Sequence, residues 1–247
     1  MSLKENLKGG LFYLLLSVTL VPAALIVMAA ALFSRKNAFD LARLWARFIL
    51  VLAGSVCGLK WREIGFENFP TDGTPVLVLS KHQSAWETFW MFARVPHRVS
   101  FVYKKELHLV PLFGQALASL GMMAINRKKG QSAFEYFRTK GAEFIQKGWW
   151  IVLFPEGTRT APGSVGKYKT GGARFAVSKG VPIVPVALNS GDFWPKNSIG
   201  KKAGTITVSI GPKIETAGKT FEEVQERMTA WIENEMLRIS PASYRRS

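Results

Sequence analysis

From residue 11 to residue 33 the chain carries no charge, 23 residues reading LFYLLLSVTLVPAALIVMAAALF. At about 1.5 Å per residue a helix of that length can cross a hydrocarbon core about 30 Å thick. Pro22 stands near its middle and predicts a kink, or a division into two half-spans. After Arg35 and Lys36, the residues Asp40, Arg43 and Arg47 recur at helical spacing and share one face, leaving Leu41, Leu44, Trp45 and Phe48 for the other. A second uncharged run, 48–59, follows directly. Residues 1–59 therefore read as a membrane-anchoring helical pair. A cleaved signal peptide has an apolar stretch of only about 7–15 residues, and here a second apolar segment follows the first. Both flanks are basic, so the orientation rule offers little contrast.

Beyond residue 59 short apolar runs alternate with stretches of helical period. The runs 75–79 (PVLVL), 98–104, 121–126, 149–154 (WWIVLF), 183–188 (IVPVAL) and 205–210 read as strands. Helical patterns lie between Ser84 and Pro96, over 132–146, over 171–179 and over 220–239, the last opening with Thr220 and Glu223 at the spacing of a capping box. The alternation predicts an α/β fold: a mixed central sheet flanked by helices over residues 60–247, carrying the N-terminal two-helix membrane anchor.

Composition narrows the partners. The 247 residues are 48% hydrophobic and only 20% charged, yet carry 33 Lys+Arg against 17 Asp+Glu, a formal charge of +16. So apolar a chain does not stay disordered, and a single cysteine, Cys57, excludes a disulfide scaffold. Residues 1–60 hold only seven of the basic residues, so most of the charge belongs to the α/β part. A basic face on a membrane-anchored domain suits anionic lipid, each near-surface Lys or Arg contributing about 1 kcal/mol. Nucleic acid needs a reading module, and neither zinc-finger spacing, a basic region with heptads nor an aromatic RNP motif is present.

The candidate chemistry sits where predicted strands end, the edge at which open α/β sheets gather ligands. His82 lies three residues past the first such run, and Glu87 follows in His-Gln-Ser-Ala-Trp-Glu. On one continuous helix the two diverge by about 140°. With His82 in the loop and Glu87 in the first turn of a helix, the carboxylate can fold back, fix the imidazole tautomer and leave the other nitrogen as a general base. Ser84-Ala-Trp-Glu87 also fits a capping box in which Glu87 serves the backbone alone, and these residues by themselves leave both readings open. His97 reads as a turn residue and His108 as a surface or membrane-facing one. A second cluster, Phe154-Pro-Glu-Gly-Thr-Arg159, follows another strand: Gly157 allows close backbone approach, Thr158 offers a hydroxyl, and Arg159 a planar fork for phosphate. Arg127, in Ile-Asn-Arg, ends a third strand, and Lys104 and Lys105 a fourth. Like charges gathered at one edge call for an anion. Cys57 falls in the membrane segment, Gly163-Ser-Val-Gly166 lacks the spacing of a nucleophile elbow, and there is no metal-ligand spacing, P-loop or dinucleotide fingerprint. Neither a covalent nucleophile nor a cofactor nor a metal is expected.

In order and spacing, His82–Glu87, Ile125-Asn-Arg127, Phe154–Arg159 and Val181-Pro-Ile-Val-Pro185 resemble the four motif blocks of the glycerolipid acyltransferases, over roughly residues 60–215. The family's first block is His-x4-Asp preceded by Asn; here Glu87 replaces the Asp and Lys81 the Asn. The resemblance implies acyl transfer from a thioester, acyl-CoA or acyl carrier protein, to the sn-2 hydroxyl of lysophosphatidic acid (1-acyl-glycerol 3-phosphate), forming phosphatidic acid. It makes His82 the general base and Glu87 its partner. It makes Lys105, Arg127, Glu156, Gly157, Thr158 and Arg159 the substrate phosphate-binding set, with the cations gripping the phosphate and Glu156–Thr158 shaping its pocket. The Val181–Pro185 block becomes a supporting strand. The implied setting is a membrane, a bacterial inner membrane with the active site facing the cytoplasm. An alternative keeps the chemistry and changes the acceptor to glycerol 3-phosphate, another lysophospholipid or a lyso-aminolipid.

Overall fold

The computed structural model describes residues 1–244, with Arg127 described by its backbone alone. Helix α1 (Leu3–Phe33) runs unbroken through Pro22, so the predicted division into half-spans does not occur. Proline removes one intrahelical bond, and a helix this long continues on either side of the loss. Ser2 and Glu5 close a capping box at its start. Helix α2 (Arg35–Cys57) follows after Ser34, which ends α1 and caps α2, and stops at Gly58, where φ is +72°, a conformation glycine adopts without strain.

Two charges of α2 reach the end of the next α-helix, whereas Asp40 is exposed. Arg43 donates to the carbonyls of Phe92, Val95 and His97, and Arg47 to that of Ala93, capping the end of the helix that carries Glu87. Leu41, Leu44, Phe48 and Val51 face outward instead, as do Leu14, Val18, Val21 and Leu25 of α1. Helix α1 is long and apolar enough to cross a membrane, and only 11% of its most apolar window is buried. Leucines and valines on the outer side of both helices make that surface apolar. One long apolar helix with its leucines exposed fits association with a membrane.

Seven strands form one sheet: β1 (Leu59–Ile64), β2 (Leu77–Ser80), β3 (Val99–Lys104), β4 (Met123–Ile125), β5 (Trp150–Leu153), β6 (Ile183–Leu188) and β7 (Gly204–Ile210), in the order β1-β7-β6-β2-β5-β3-β4. All neighbours are parallel except β6 and β7. Strands β6, β2, β5, β3 and β4 therefore end on the same edge. Their side chains alternate between two cores. On one face Val78, Val152 and Val184 pack with Phe12 of α1, Phe39 and Ile49 of α2 and Trp90 of α3, where α3 is Trp86–Arg94. On the other, Leu79, Ile151 and Ile183 pack under α5 (Gly130–Gln146), α6 (Gly171–Lys179) and α7 (Phe221–Ile239). A short helix α4 (Phe113–Ser119) lies against α1, and α8 (Pro241–Tyr244) follows α7.

The helical pair thus shares a core with the sheet. Two further contacts fasten α1 to the loop before β7. Gly9 packs so closely that a Cβ there would lie 1.9 Å from the Ile199 carbonyl oxygen. Lys201 is buried with its Nζ 3.9 Å from the Tyr13 ring centroid and 4.5 Å from that of Trp194. Burial pushes the Lys201 amine down to about 8.

Candidate active site

Strand β2 ends in Ser80, and the next residue, Lys81, donates its N–H to the Val186 carbonyl of β6, so the chain leaves the sheet with His82 at the shared edge. Helix α3 begins at Trp86, which puts Glu87 in its first turn. Glu87 reaches back: its Oε1 lies 2.8 Å from His82 Nδ1. The same oxygen accepts the backbone N–H groups of Gln83 at 2.7 Å and Ser84 at 2.8 Å. The catalytic and capping geometries therefore coexist in one carboxylate. Ser84 Oγ accepts from the Trp86 N–H, and the box is not reciprocal. The second oxygen, Oε2, accepts from the Ser190 hydroxyl at the end of β6. Glu87 is fully buried, so its charge is held by four donors. With Nδ1 donating to the carboxylate, Nε2 is the ring nitrogen left with its lone pair.

Two contacts from the second cluster and one from Thr160 just beyond it fix the histidine. The Phe154 ring stacks on the imidazole with centroids 4.0 Å apart and planes 17° from parallel. The His82 N–H donates to Glu156 Oε2 at 2.7 Å, and the His82 carbonyl accepts the Thr160 N–H at 2.8 Å. Both clusters lie on neighbouring strands, β2 and β5, which is why they interlock.

Glu156 does not face a ligand. Its Oε1 pairs with Lys81 Nζ at 2.8 Å and accepts from the Thr160 hydroxyl, so both oxygens are engaged inside the protein. A buried carboxylate committed this way holds the His82 backbone in place. Lys81 uses all three donors, reaching Glu156, Glu233 of α7 at 2.8 Å and the Ser164 carbonyl at 3.2 Å. Burial pulls the Lys81 ammonium down, but the two carboxylates outweigh it and its pKa lies above the ordinary value. Tyr168 completes the cluster by donating to Glu233 at 2.6 Å, and burial pushes its phenol well up.

Beside His82 opens a pocket of about 470 Å³. Its lining includes His82, Gly157–Arg159 and Lys104, which follow or end the neighbouring strands β2, β5 and β3 on one sheet edge, and Lys196, which bonds Thr158 and Arg159; this strand-edge side is the polar end. Gly157 turns there with φ +70°. Most of the remaining wall is apolar, contributed by Leu20, Ala24 and Val27 of α1, Trp45 and Ala46 of α2, Phe89 and Phe92 of α3, and Leu117 of α4. Among the sequence candidates, His82, Gly157, Thr158 and Arg159 meet at this end. Lys105 is exposed outside the lining, and its neighbour Lys104 takes the place by the pocket. Arg127 follows β4, on the same sheet edge; its side chain lies outside the described residues. His108 bonds the Tyr103 hydroxyl at 2.8 Å, and His97 stacks on Trp150; neither lines the pocket.

Three contributors were missed from sequence. Lys196 donates to Thr158 Oγ1 at 3.4 Å and to the Arg159 carbonyl at 3.2 Å, but comes from a loop with no motif. Thr160 lies just past the second cluster. Ser190 had a usable signal, since it stands at the end of β6, the strand beside β2.

The arrangement can remove a proton from a hydroxyl at Nε2 and store the resulting charge against Glu87, beside cations and an apolar cavity. The Acyltransferase family profile matches residues 61–189. The chain is 39% identical to the 1-acyl-sn-glycerol-3-phosphate acyltransferase of Pseudomonas aeruginosa, over 99% of this chain and 96% of the relative. It is 28% identical to the human 1-acyl-sn-glycerol-3-phosphate acyltransferase alpha, over 73% of this chain and 72% of that one. The crystal structure of the 1-acyl-sn-glycerophosphate acyltransferase PlsC from Thermotoga maritima shares the fold, with a TM-score of 0.77 at 21% identity, covering 95% of this chain and 97% of the other. By its motif blocks, its fold and its full-length relatives, this chain belongs to the acyltransferase family.

Proposed function

We propose that the protein transfers a fatty acyl group from a thioester to the sn-2 hydroxyl of 1-acyl-glycerol 3-phosphate, giving phosphatidic acid. The observation that carries this reading is the division of one pocket into a histidine-and-cation end and an apolar end, which matches an acceptor joining a phosphate to a fatty chain. The Pseudomonas and human relatives, both 1-acyl-sn-glycerol-3-phosphate acyltransferases, support the same reading.

In this reading Nε2 of His82 takes the hydroxyl proton as the acceptor oxygen attacks the thioester carbonyl. The tetrahedral intermediate collapses with cleavage of the C–S bond, and the imidazolium returns its proton to the leaving thiolate. Glu87 stabilises the imidazolium while it lasts. General base catalysis of this kind contributes about 10²–10⁴ in rate. Arg159, Lys196 and Lys104 hold the acceptor phosphate, joined by Arg127 from the same edge; Lys105, outside the lining, has no part in it. Gly157 and Thr158 shape that end, and Glu156 supports it through Lys81 and His82. The donor is acyl-CoA or acyl carrier protein. The basic surface rests on anionic lipid, in a bacterial inner membrane with the site facing the cytoplasm.

Product analysis of the purified protein in mixed micelles tests this. The acceptors are 1-acyl-glycerol 3-phosphate, glycerol 3-phosphate and a lysophospholipid without a phosphomonoester, each with both thioesters. Phosphatidic acid is the expected main product; preference for another acceptor overturns the assignment. In the same assay Arg159→Met raises KM for the phosphorylated acceptor about tenfold, the worth of one charge-assisted hydrogen bond. An unchanged KM removes that role.

A further inference from the structure

Between β3 and α4 the chain makes a compact knob. A short 3-10 helix, Lys105–Leu109, is followed by Val110, Pro111 and Leu112. Leu109 is 81% exposed, and Leu107 and Val110 are exposed with it. Leu112 has φ +63°, which a branched side chain adopts at a cost, and the knob is tied internally. The Val110 N–H donates to the Leu107 carbonyl at 3.2 Å, the Gly114 N–H donates to the Val110 carbonyl at 3.0 Å, and the Tyr103–His108 bond pins its base. These leucines are therefore held outward by a defined turn.

We propose that this knob is a second membrane contact, seated in the same lipid surface as the outer face of α1. The proposal rests on the membrane reading of α1. Continuity favours lipid as the occupant: α4, which follows the knob, packs on α1, whose outer side exposes Leu14, Val18, Val21 and Leu25. Charge favours it too, because exposed Lys105 stands at the root of the knob where anionic headgroups would lie, while Glu106 pairs with Lys104 at 3.5 Å. Leu107 also lines the pocket, so the knob forms part of its rim. With the knob in the leaflet, a fatty chain passes between bilayer and pocket without crossing water.

The test uses the full chain on vesicles of three parts phosphatidylcholine to one part phosphatidylglycerol. Cys57 is buried, so an environment-sensitive fluorophore goes to an introduced cysteine. Three variants are compared: Leu109→Cys on the knob, Leu25→Cys on α1, and Val165→Cys, 65% exposed in the groove beside α7. Brominated lipid is expected to quench the labels at 109 and 25 and to spare that at 165. Quenching at 25 without quenching at 109 overturns the proposal and leaves the membrane reading intact. No quenching at either overturns both. A label at 109 shielded in a concentration-dependent manner without vesicles makes the occupant a second copy of the chain and also overturns it. Independently, Leu109→Glu is expected to lower turnover of vesicle-borne lysolipid about tenfold and to leave turnover of a short-chain soluble acceptor within about twofold. Equal loss on both acceptors contradicts the assignment.

Discussion

At its polar end the pocket is walled by His82, Thr158, Arg159 and Lys196; over the rest of its length Leu20, Ala24, Phe89 and Leu117 form the wall. Hydrogen bonds fix much of the first group. His82 is held at its backbone N–H, its backbone carbonyl, its Nδ1 and one ring face, and its partner Glu87 accepts from four donors. The second group is fixed by packing between helices that share one core with the sheet. The difference teaches where tolerance lies. A hydrogen-bonded constellation loses its geometry when one atom changes, because the groups left behind are buried and unpaired. An apolar wall answers to volume, and its changes are graded.

Three substitutions divide along that line. The largest effect belongs to the polar end. Glu87→Gln keeps the shape but replaces a charged acceptor by an amide. The imidazolium is then unsupported and the tautomer is no longer dictated, so kcat falls about 100-fold or more with a small change in KM. A steady-state comparison checks this, and a kcat within a few-fold of the parent breaks the distinction between the two ends. The Arg159→Met effect on acceptor KM comes next. The smallest effect belongs to the apolar end. Ala24→Leu fills part of the wall and is expected to weaken use of the longest acyl groups by about fourfold for each methylene displaced, while short ones are used as before. Competition among thioesters and lysolipids of graded length reads this, and a uniform loss at all lengths removes the assigned role of the wall.

The polar end was readable in the sequence because its chemistry sits in runs. His82 and Glu87 are five residues apart, Gly157–Arg159 are consecutive, and each cluster follows an apolar strand. The parallel order β2-β5-β3-β4 then brings those strand ends to one edge, as the alternation suggested. What stayed hidden depends on long-range pairing. Lys81 looked like a departure at a motif position, and its partner Glu233 lies 152 residues away. Arg43 and Arg47 form a polar stripe that a helical pattern cannot aim; both donate to carbonyls at the end of α3, which lack partners within the helix. Strand β1 was missed because LKWREI, with three charges, pairs at the sheet edge where burial is partial. Helix α4 has seven residues, too few to show a period. The apolar wall has no motif, since four helices each lend it a few residues.

The central claim is that His82 acts as the base at the polar end of a pocket whose other end holds a fatty chain. The most direct test is turnover of 1-acyl-glycerol 3-phosphate by His82→Ala, with melting temperature and lysolipid binding measured on the same sample. The account predicts a folded protein that still binds lysolipid and has lost about 10²–10⁴ in kcat; a folded variant turning over within a few-fold of the parent contradicts it.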